Sequence, residues 1–184
     1  MPWRVAADQT TLQIQIFTTG GTIDKVYFDA RSEYEVGDPQ ITEILRDAGV
    51  TVPYAVETLM RKDSLDLTDE DRATIAARVH ACDCPRIILT HGTDTMTETA
   101  RSLGDVGDRT VVLVGSLSPA RFKGTDAEFN IGFAVAAVQT LPPGVYVAMN
   151  GRVFEAAKVR KNREANRFEG AAYYQAGSAP EVRP

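Results

Sequence analysis

The sequence has few of the side chains that bind metals or form disulfide bridges. Its 184 residues include two cysteines and two histidines. One residue separates Cys82 from Cys84, which is too close for an easy disulfide in regular structure. His80 lies beside them, but a closed zinc site needs four ligands and the only other histidine is His91. The pattern therefore favours a helix end packed beside a strand over a metal site.

Long apolar runs and excess positive charge are also missing. No run approaches the length of a membrane span, and residues 1–8 contain no apolar block of signal-peptide length. The formal net charge of −5 argues against nucleic acid or an anionic membrane as the main partner, because phosphate binding needs clustered lysine and arginine. These absences favour a cytoplasmic protein that acts on a small molecule.

Three common site motifs are absent. No G-x-G-x-x-G sequence follows the first apolar run, which excludes the fingerprint of dinucleotide-binding folds. Residues 122–125 lack the glycine spacing of a phosphate loop. Residues 115–119 do not match G-x-S-x-G, so the strand-to-helix turn of a serine hydrolase is excluded.

What the sequence does contain is a regular alternation of strand-like and helix-like segments over residues 12–149. Such alternation predicts an α/β protein whose mostly parallel, doubly wound (flavodoxin-like) sheet has helices on both faces. We expect a flexible leader over residues 1–10, a single α/β domain over residues 11–168, and a loosely held tail over residues 169–184.

Local patterns predict several connecting elements. Residues 26–37 have no clean period and predict a long mobile loop of the kind that often forms a lid. Asp38 and Pro39 predict a helix start, and residues 68–71 and 125–128 both have the form of a capping box. Asn150-Gly151 predicts a two-residue hairpin turn.

Polar residues follow four of the predicted strands. Because the carboxyl ends of parallel strands share one edge of a sheet, we expect these residues to form one site. They are Thr22, Asp63, Ser64, Thr93, Asp94 and Ser116, with Lys161 in a later basic run. A threonine hydroxyl is a poor nucleophile without a base, and a lysine is a base only when burial or nearby positive charge makes it neutral.

Each of these features also has an interpretation without chemistry. The glycine pair before Thr22 is also typical of a tight turn after a strand. Thr93-Asp94 is compatible with a helix cap, and Lys161 with a solvated surface lysine.

The residues 19–23, Thr-Gly-Gly-Thr-Ile, together with residues 91–96, His-Gly-Thr-Asp-Thr-Met, resemble the two signature motifs of bacterial-type L-asparaginases. The resemblance continues through residues 63–66, residues 115–116 and the segment around Lys161, so it covers nearly the whole chain up to Phe168. The family typically has a second, smaller C-terminal domain, and this sequence resembles a short-chain form without it.

The resemblance implies a role for each site residue. Thr22 corresponds to the nucleophile and Tyr27 to the lid tyrosine. Lysine and threonine of a second group pass a proton, and the aspartate of that group holds the α-ammonium of the substrate. That group is Thr93, Asp94 and Lys161; the residues expected to bind substrate are Gly21, Asp63, Ser64 and Ser116.

The implied reaction is hydrolysis of the side-chain amide of L-asparagine to L-aspartate and ammonia, with no cofactor and no metal. The resemblance also implies a homo-oligomer, a dimer or tetramer. Leu65 stands where many relatives have a polar residue that touches the substrate, which leaves the preference over glutamine open. Alternatives are hydrolysis of glutamine or a related amide, and a non-catalytic module that binds an amino acid.

Overall fold

A six-stranded sheet forms the centre of the protein. The computed structural model describes residues 13–28 and 33–170. The sheet strands are β1 (Ile14–Gly20), β4 (Tyr54–Lys62), β5 (Arg86–Thr90), β6 (Thr110–Val114), β7 (Gly144–Met149) and β8 (Arg152–Glu155), in the order β4-β1-β5-β6-β7-β8. The first five strands of that order are parallel and β8 is antiparallel to β7. The five parallel strands have the flavodoxin-like order, so the predicted fold class is confirmed.

Four helices lie in two layers over the described part of the chain. They are α1 (Ile41–Asp47), α2 (Asp69–His80), α3 (Met96–Ser102) and α4 (Ala127–Thr140). Helix α1 packs against α4, and α2 packs against α3. The connections through α3 and α4 advance in the same direction along the sheet, yet their helices belong to different layers. The crossover through α4 therefore has the opposite hand to the other crossovers, which is rare in parallel sheets.

The apolar side chains of the sheet strands explain this layered packing. Every residue of β6 is buried, and so is every residue of β5 after Arg86. Strands buried on both faces need helices on both sides to exclude water. Within the described residues, no helix is long and apolar enough to cross a membrane.

The expected mobile loop over residues 26–37 is largely a β-hairpin. Strand β2 (Lys25–Phe28) pairs antiparallel with β3 (Glu33–Val36), with Tyr27 opposite Tyr34. Its tip, residues 29–32, lies outside the described residues. The prediction of an irregular loop was wrong because cross-strand pairing of a two-stranded ribbon needs no alternation of apolar and polar residues.

Two helix starts differ from the predictions, while the predicted capping box at Thr68 and the predicted hairpin turn at residues 150–151 are confirmed. Helix α1 begins at Ile41 after Gln40, not at Pro39, and Asp126 precedes α4 without a capping box. The capping box of Thr68 is present at α2. Residues 150 and 151 both have positive φ, as the predicted hairpin turn between β7 and β8 requires.

The C-terminal part of the described chain adds a small ribbon. Strand β9 (Val159–Asn162) pairs antiparallel with β10 (Arg167–Gly170). The predicted leader, residues 1–10, lies outside the described residues, and so does most of the predicted tail, from residue 171 onward.

Candidate active site

The candidate site lies where successive connections change the direction in which they move along the sheet. Strand β1 is the neighbour of both β4 and β5, with Thr18 opposite Thr58 and Thr90. The connection after β1 leads to one edge of the sheet, and the connection after β5 leads towards the other. At such a switch point the two loops diverge and leave a crevice at the carboxyl ends of the strands.

Close backbone contacts join the loops at this crevice. A β-carbon on Gly21 would lie 2.4 Å from Cα and N of Gly92. A β-carbon on Gly92 would lie 2.6 Å from Oγ of Ser64. Only glycine permits these approaches. Thr22 follows Gly21 and Thr93 follows Gly92, so these approaches place the two threonines on adjoining loops. Ser64 lies beside Gly92.

Lys161 contacts Thr93 directly. Its Nζ donates a hydrogen bond to Oγ1 of Thr93 over 2.5 Å, although 68 residues separate the two in sequence. The Lys161 side chain is 6% exposed, and its Nζ lies 5.6 Å from the ring centre of Phe168. The interpretation of Lys161 as a solvated surface lysine is therefore wrong.

Burial is the main influence on the charge of this lysine. It lowers the pKa of Lys161 below its ordinary value, whereas the nearby Asp94 carboxylate raises that pKa and Arg163 lowers it further. Asp94 Oδ1 lies 3.7 Å from Nζ, which is an ion pair but too long for a strong hydrogen bond. The arrangement makes proton loss from Lys161 easier than it is in water.

Asp94 does not cap the helix that follows it. The residue before α3 is Thr95, and no side chain makes a capping hydrogen bond there. Thr95 instead donates from Oγ1 to the carbonyl of Ser64 over 2.7 Å. The Asp94 side chain is 38% exposed, so its carboxylate is accessible to a ligand. The capping interpretation of Thr93-Asp94 is therefore wrong.

His91 orients the loop that carries Thr93, a role that no sequence pattern indicated. Its Nδ1 lies 2.7 Å from the carbonyl oxygen of Gly92 and its Nε2 lies 2.8 Å from Oγ1 of Thr99. Because a carbonyl only accepts, the proton is on Nδ1, and Nε2 accepts from Thr99. Complete burial lowers the pKa of His91 to about 4, so the ring is neutral at pH 7.

Thr22 and Tyr27 lie on the first loop and the hairpin that follows it. Thr22 is half-buried and starts a short helical turn, Thr22–Asp24. Tyr27 is 51% exposed and packs edge-to-face on Tyr34, with ring centres 5.4 Å apart. Among residues 13–28 and 33–170, which the structure describes, no hydrogen bond joins Tyr27 to Thr22 or to Lys161.

The remaining predicted residues have partners of their own. Asp63 is paired with Lys25, which the sequence interpretation overlooked, over 2.6 Å. Ser116 donates to the carbonyl of Ser118 over 2.5 Å, so its hydroxyl is used within its own loop. No group of three histidine, cysteine or acidic side chains in the described ranges is placed to hold a metal ion.

Together these observations define a flavodoxin-like α/β protein with hydroxyl groups and a buried lysine at the switch point of its sheet. Over residues 13–180 the sequence matches the family model described as asparaginase, N-terminal. The chain belongs to the asparaginase family.

Individual relatives agree with the family match. L-asparaginase 2 of Escherichia coli (strain K12) is 32% identical over 167 residues, which cover 80% of this chain and 46% of that protein. The glutaminase-asparaginase of Acinetobacter glutaminasificans is 33% identical over 129 residues, covering 67% of this chain and 38% of that protein. The thermostable L-asparaginase from Thermococcus kodakarensis has a similar structure, with a TM-score of 0.74, 27% identity, and coverage of 86% of this chain and 51% of that one. The chain spans about half the length of the curated relatives it matches.

Proposed function

We propose that this protein hydrolyses the side-chain amide of L-asparagine to L-aspartate and ammonia. Thr22 is the nucleophile in this proposal, and Tyr27 of the hairpin assists it. Lys161 and Thr93 move the proton, and Asp94 holds the α-ammonium of the substrate. The observation that carries the proposal is the 2.5 Å contact between Lys161 and Thr93, with the lysine buried at the switch point.

The hydrogen bond between Lys161 and Thr93 supports proton transfer, because its donor and acceptor exchange roles when the lysine changes its charge. The ammonium form of Lys161 donates to Thr93 Oγ1, whereas the neutral amine accepts the proton of the Thr93 hydroxyl. Burial lowers the pKa of Lys161 and so favours the neutral form that a general base needs. The half-exposed Asp94 carboxylate offers a counter-charge to the α-ammonium group of an amino acid.

In the proposed chemistry, the Thr22 oxygen forms a bond to the amide carbon and loses its proton. The carbon–nitrogen bond breaks, the departing nitrogen takes up the proton that Thr22 lost, and ammonia leaves. Backbone N–H groups near Gly21 and Thr93 stabilise the negative oxygen that develops on the carbonyl. Water then attacks the acyl group, which releases aspartate and restores the Thr22 hydroxyl. Direct attack of water on the amide gives the same products. Mass spectrometry of acid-quenched enzyme distinguishes the two routes, because only the acyl-enzyme route forms an aspartyl ester on Thr22.

Substrate binding involves Ser64 and the residues beside it. Ser64 is buried against Gly92 and is assigned to the α-carboxylate, with Asp63 next to it and Gly21 and Ser116 on the neighbouring loops. Leu65 is 63% exposed and offers no hydrogen bond from its side chain.

Glutamine is the second candidate substrate. The relative from Acinetobacter glutaminasificans is named a glutaminase-asparaginase. A pocket discriminates by only about 1–3 kcal/mol against one additional methylene group.

Ammonia release from asparagine, glutamine and peptide amides tests this function. We expect Thr22→Ala and Thr93→Ala to abolish release while circular dichroism remains that of the wild type. Thr74→Ala, which changes an exposed threonine of α2, is the matched control and should retain full activity. Undiminished turnover in either site variant would contradict the proposal. A melting temperature raised by asparagine without ammonia release would instead support a non-catalytic amino-acid-binding module.

We also propose cytoplasmic residence and assembly into a dimer or tetramer. The small-molecule substrate is the expected partner, because the net charge of −5 disfavours nucleic acid and anionic membranes. Cell fractionation tests the cytoplasmic residence. Light scattering of the purified protein tests the oligomeric state.

A further inference from the structure

Asp24 is a buried carboxyl two residues after Thr22, and it belongs to none of the contacts described above. Its residue is 2% exposed. Oδ1 accepts a hydrogen bond from the backbone N–H of Gln40 over 2.8 Å. Oδ2 is buried without a hydrogen-bond partner among the residues that the structure describes. A buried carboxyl with a single hydrogen bond destabilises a fold, so its presence calls for an explanation other than stability.

The turn that carries Asp24 is fastened to several other elements. The N–H of Gly37, at the end of the hairpin, donates to the carbonyl of Asp24 over 2.8 Å. The N–H of Ala120, in the loop after β6, donates to the carbonyl of Ile23 over 3.1 Å. Lys25, the first residue of β2, forms its ion pair with Asp63 in the loop after β4. The backbone that follows Thr22 is therefore held from three sides, and the Asp24 side chain adds the connection to α1.

The charged groups around Asp24 come from β4 and from the loop after β6. Arg61 of β4 favours the ionised carboxyl, but its guanidinium is itself paired with Asp38 over 2.9 Å. Arg121 donates to the side chain of Gln40 over 2.9 Å and so reaches Asp24 only indirectly. Burial outweighs the Gln40 N–H and Arg61, and it raises the pKa of Asp24 to about 6.

We propose that Asp24 is a positioning residue for Thr22, because its carboxyl anchors the Thr22 turn on the backbone N–H at the start of α1. The inference rests on the proposed function, since it concerns the nucleophile of that reaction. A displacement of about 1 Å at a reacting group costs roughly 100-fold in rate. The substrate contacts assigned to Ser64 and Asp94 lie on other loops. Loss of the anchor therefore lowers kcat and leaves KM nearly unchanged.

The test compares ammonia release from L-asparagine by the full chain and its variants. Asp24→Ala removes the acceptor, and we expect kcat to fall about 10- to 100-fold with KM changed less than about twofold. Asp24→Asn keeps an oxygen acceptor for the Gln40 N–H, so we expect kcat within about threefold of wild type. Thr110→Val is the matched control, because Thr110 is also buried and the change removes its hydrogen bond to Leu141 over 3.2 Å at the amino end of β6, away from the candidate site.

The outcomes separate positioning from stability. A folded Asp24→Ala protein with wild-type kcat overturns the proposal, and so does an equal loss of kcat in Thr110→Val. If Asp24→Ala fails to fold, Asp24→Asn decides: because asparagine keeps the oxygen acceptor, a folded Asp24→Asn protein whose kcat falls more than about tenfold overturns the proposal. A wild-type protein that releases no ammonia from any amide refutes the proposed function together with this role, and is recognised because the wild type itself is inactive.

Discussion

Replacing Asp24 with asparagine measures the cost of burying its carboxyl independently of catalysis. Burial raises the pKa of Asp24 from its ordinary value of 3.8 to about 6 in the folded protein. The folded state therefore binds the proton more tightly than the unfolded chain does. The stability that this proton confers is fully present below pH 3.8 and is lost as the pH rises through about 6.

The size of the effect follows from the pKa change. One pKa unit corresponds to about 1.36 kcal/mol, so a rise from 3.8 to about 6 corresponds to about 3 kcal/mol of unfolding free energy. Asparagine does not titrate. The unfolding free energy of Asp24→Asn minus that of the wild type should therefore increase by about 2.4 kcal/mol between about pH 4 and about pH 7.5, because part of the change occurs below pH 4.

Urea unfolding followed by circular dichroism at several pH values in this range provides the measurement. All other carboxyl groups titrate in both proteins, so their contributions cancel in the difference. Thr110→Val, which changes no titratable group, is the control and should give a difference that is independent of pH. A flat difference for Asp24→Asn, or one that falls as the pH rises, would refute the argument that this carboxyl is buried with too few partners.

Two further changes test the hairpin and the start of α2. Tyr27→Phe should lower kcat for ammonia release about tenfold and leave the melting temperature unchanged, since the side chain is 51% exposed; wild-type turnover would argue against a role for its hydroxyl. Thr68→Ala removes the hydrogen bond that the Asp71 N–H donates to the Thr68 hydroxyl and should lower the unfolding free energy in urea by about 1 kcal/mol without changing kcat. An unaltered unfolding midpoint would mean that the box contributes nothing.

The sequence was sufficient to predict the sheet and the meeting of its polar loops. Alternating segments fix a parallel sheet, and parallel strands place their carboxyl ends at one edge. Thr22 and Thr93 could therefore be assigned to one crevice before any contact was known. The close approaches at Gly21 and Gly92 are consistent with that topology.

Other features depend on contacts that no local pattern encodes. Asp126 illustrates this, because its carboxylate accepts from the backbone N–H groups of Leu117 and Ser118 over 3.0 and 3.1 Å. It also accepts from the side-chain amide of Asn130 over 2.8 Å. The side chain that precedes α4 therefore stabilises the loop after β6, and no capping box forms at this helix. The spacing of polar residues indicated a helix start here but not the loop that the carboxylate binds.

The strongest case is Lys161, whose chemistry depends on a ribbon outside the main sheet. Lys161 lies on β9, opposite Phe168 of β10, and the Phe168 side chain is 4% exposed. The pairing of these two short strands places Nζ 5.6 Å from the centre of the Phe168 ring, while burial lowers the pKa of the lysine. Arg101 of α3 donates to the carbonyl of Val159, which fastens the start of β9 to the helix that follows the Thr93 loop. Helix α3 thus connects β9, which carries Lys161, to the loop that carries Thr93. A basic segment whose sequence is typical of a solvated surface therefore supplies a buried amine to the site.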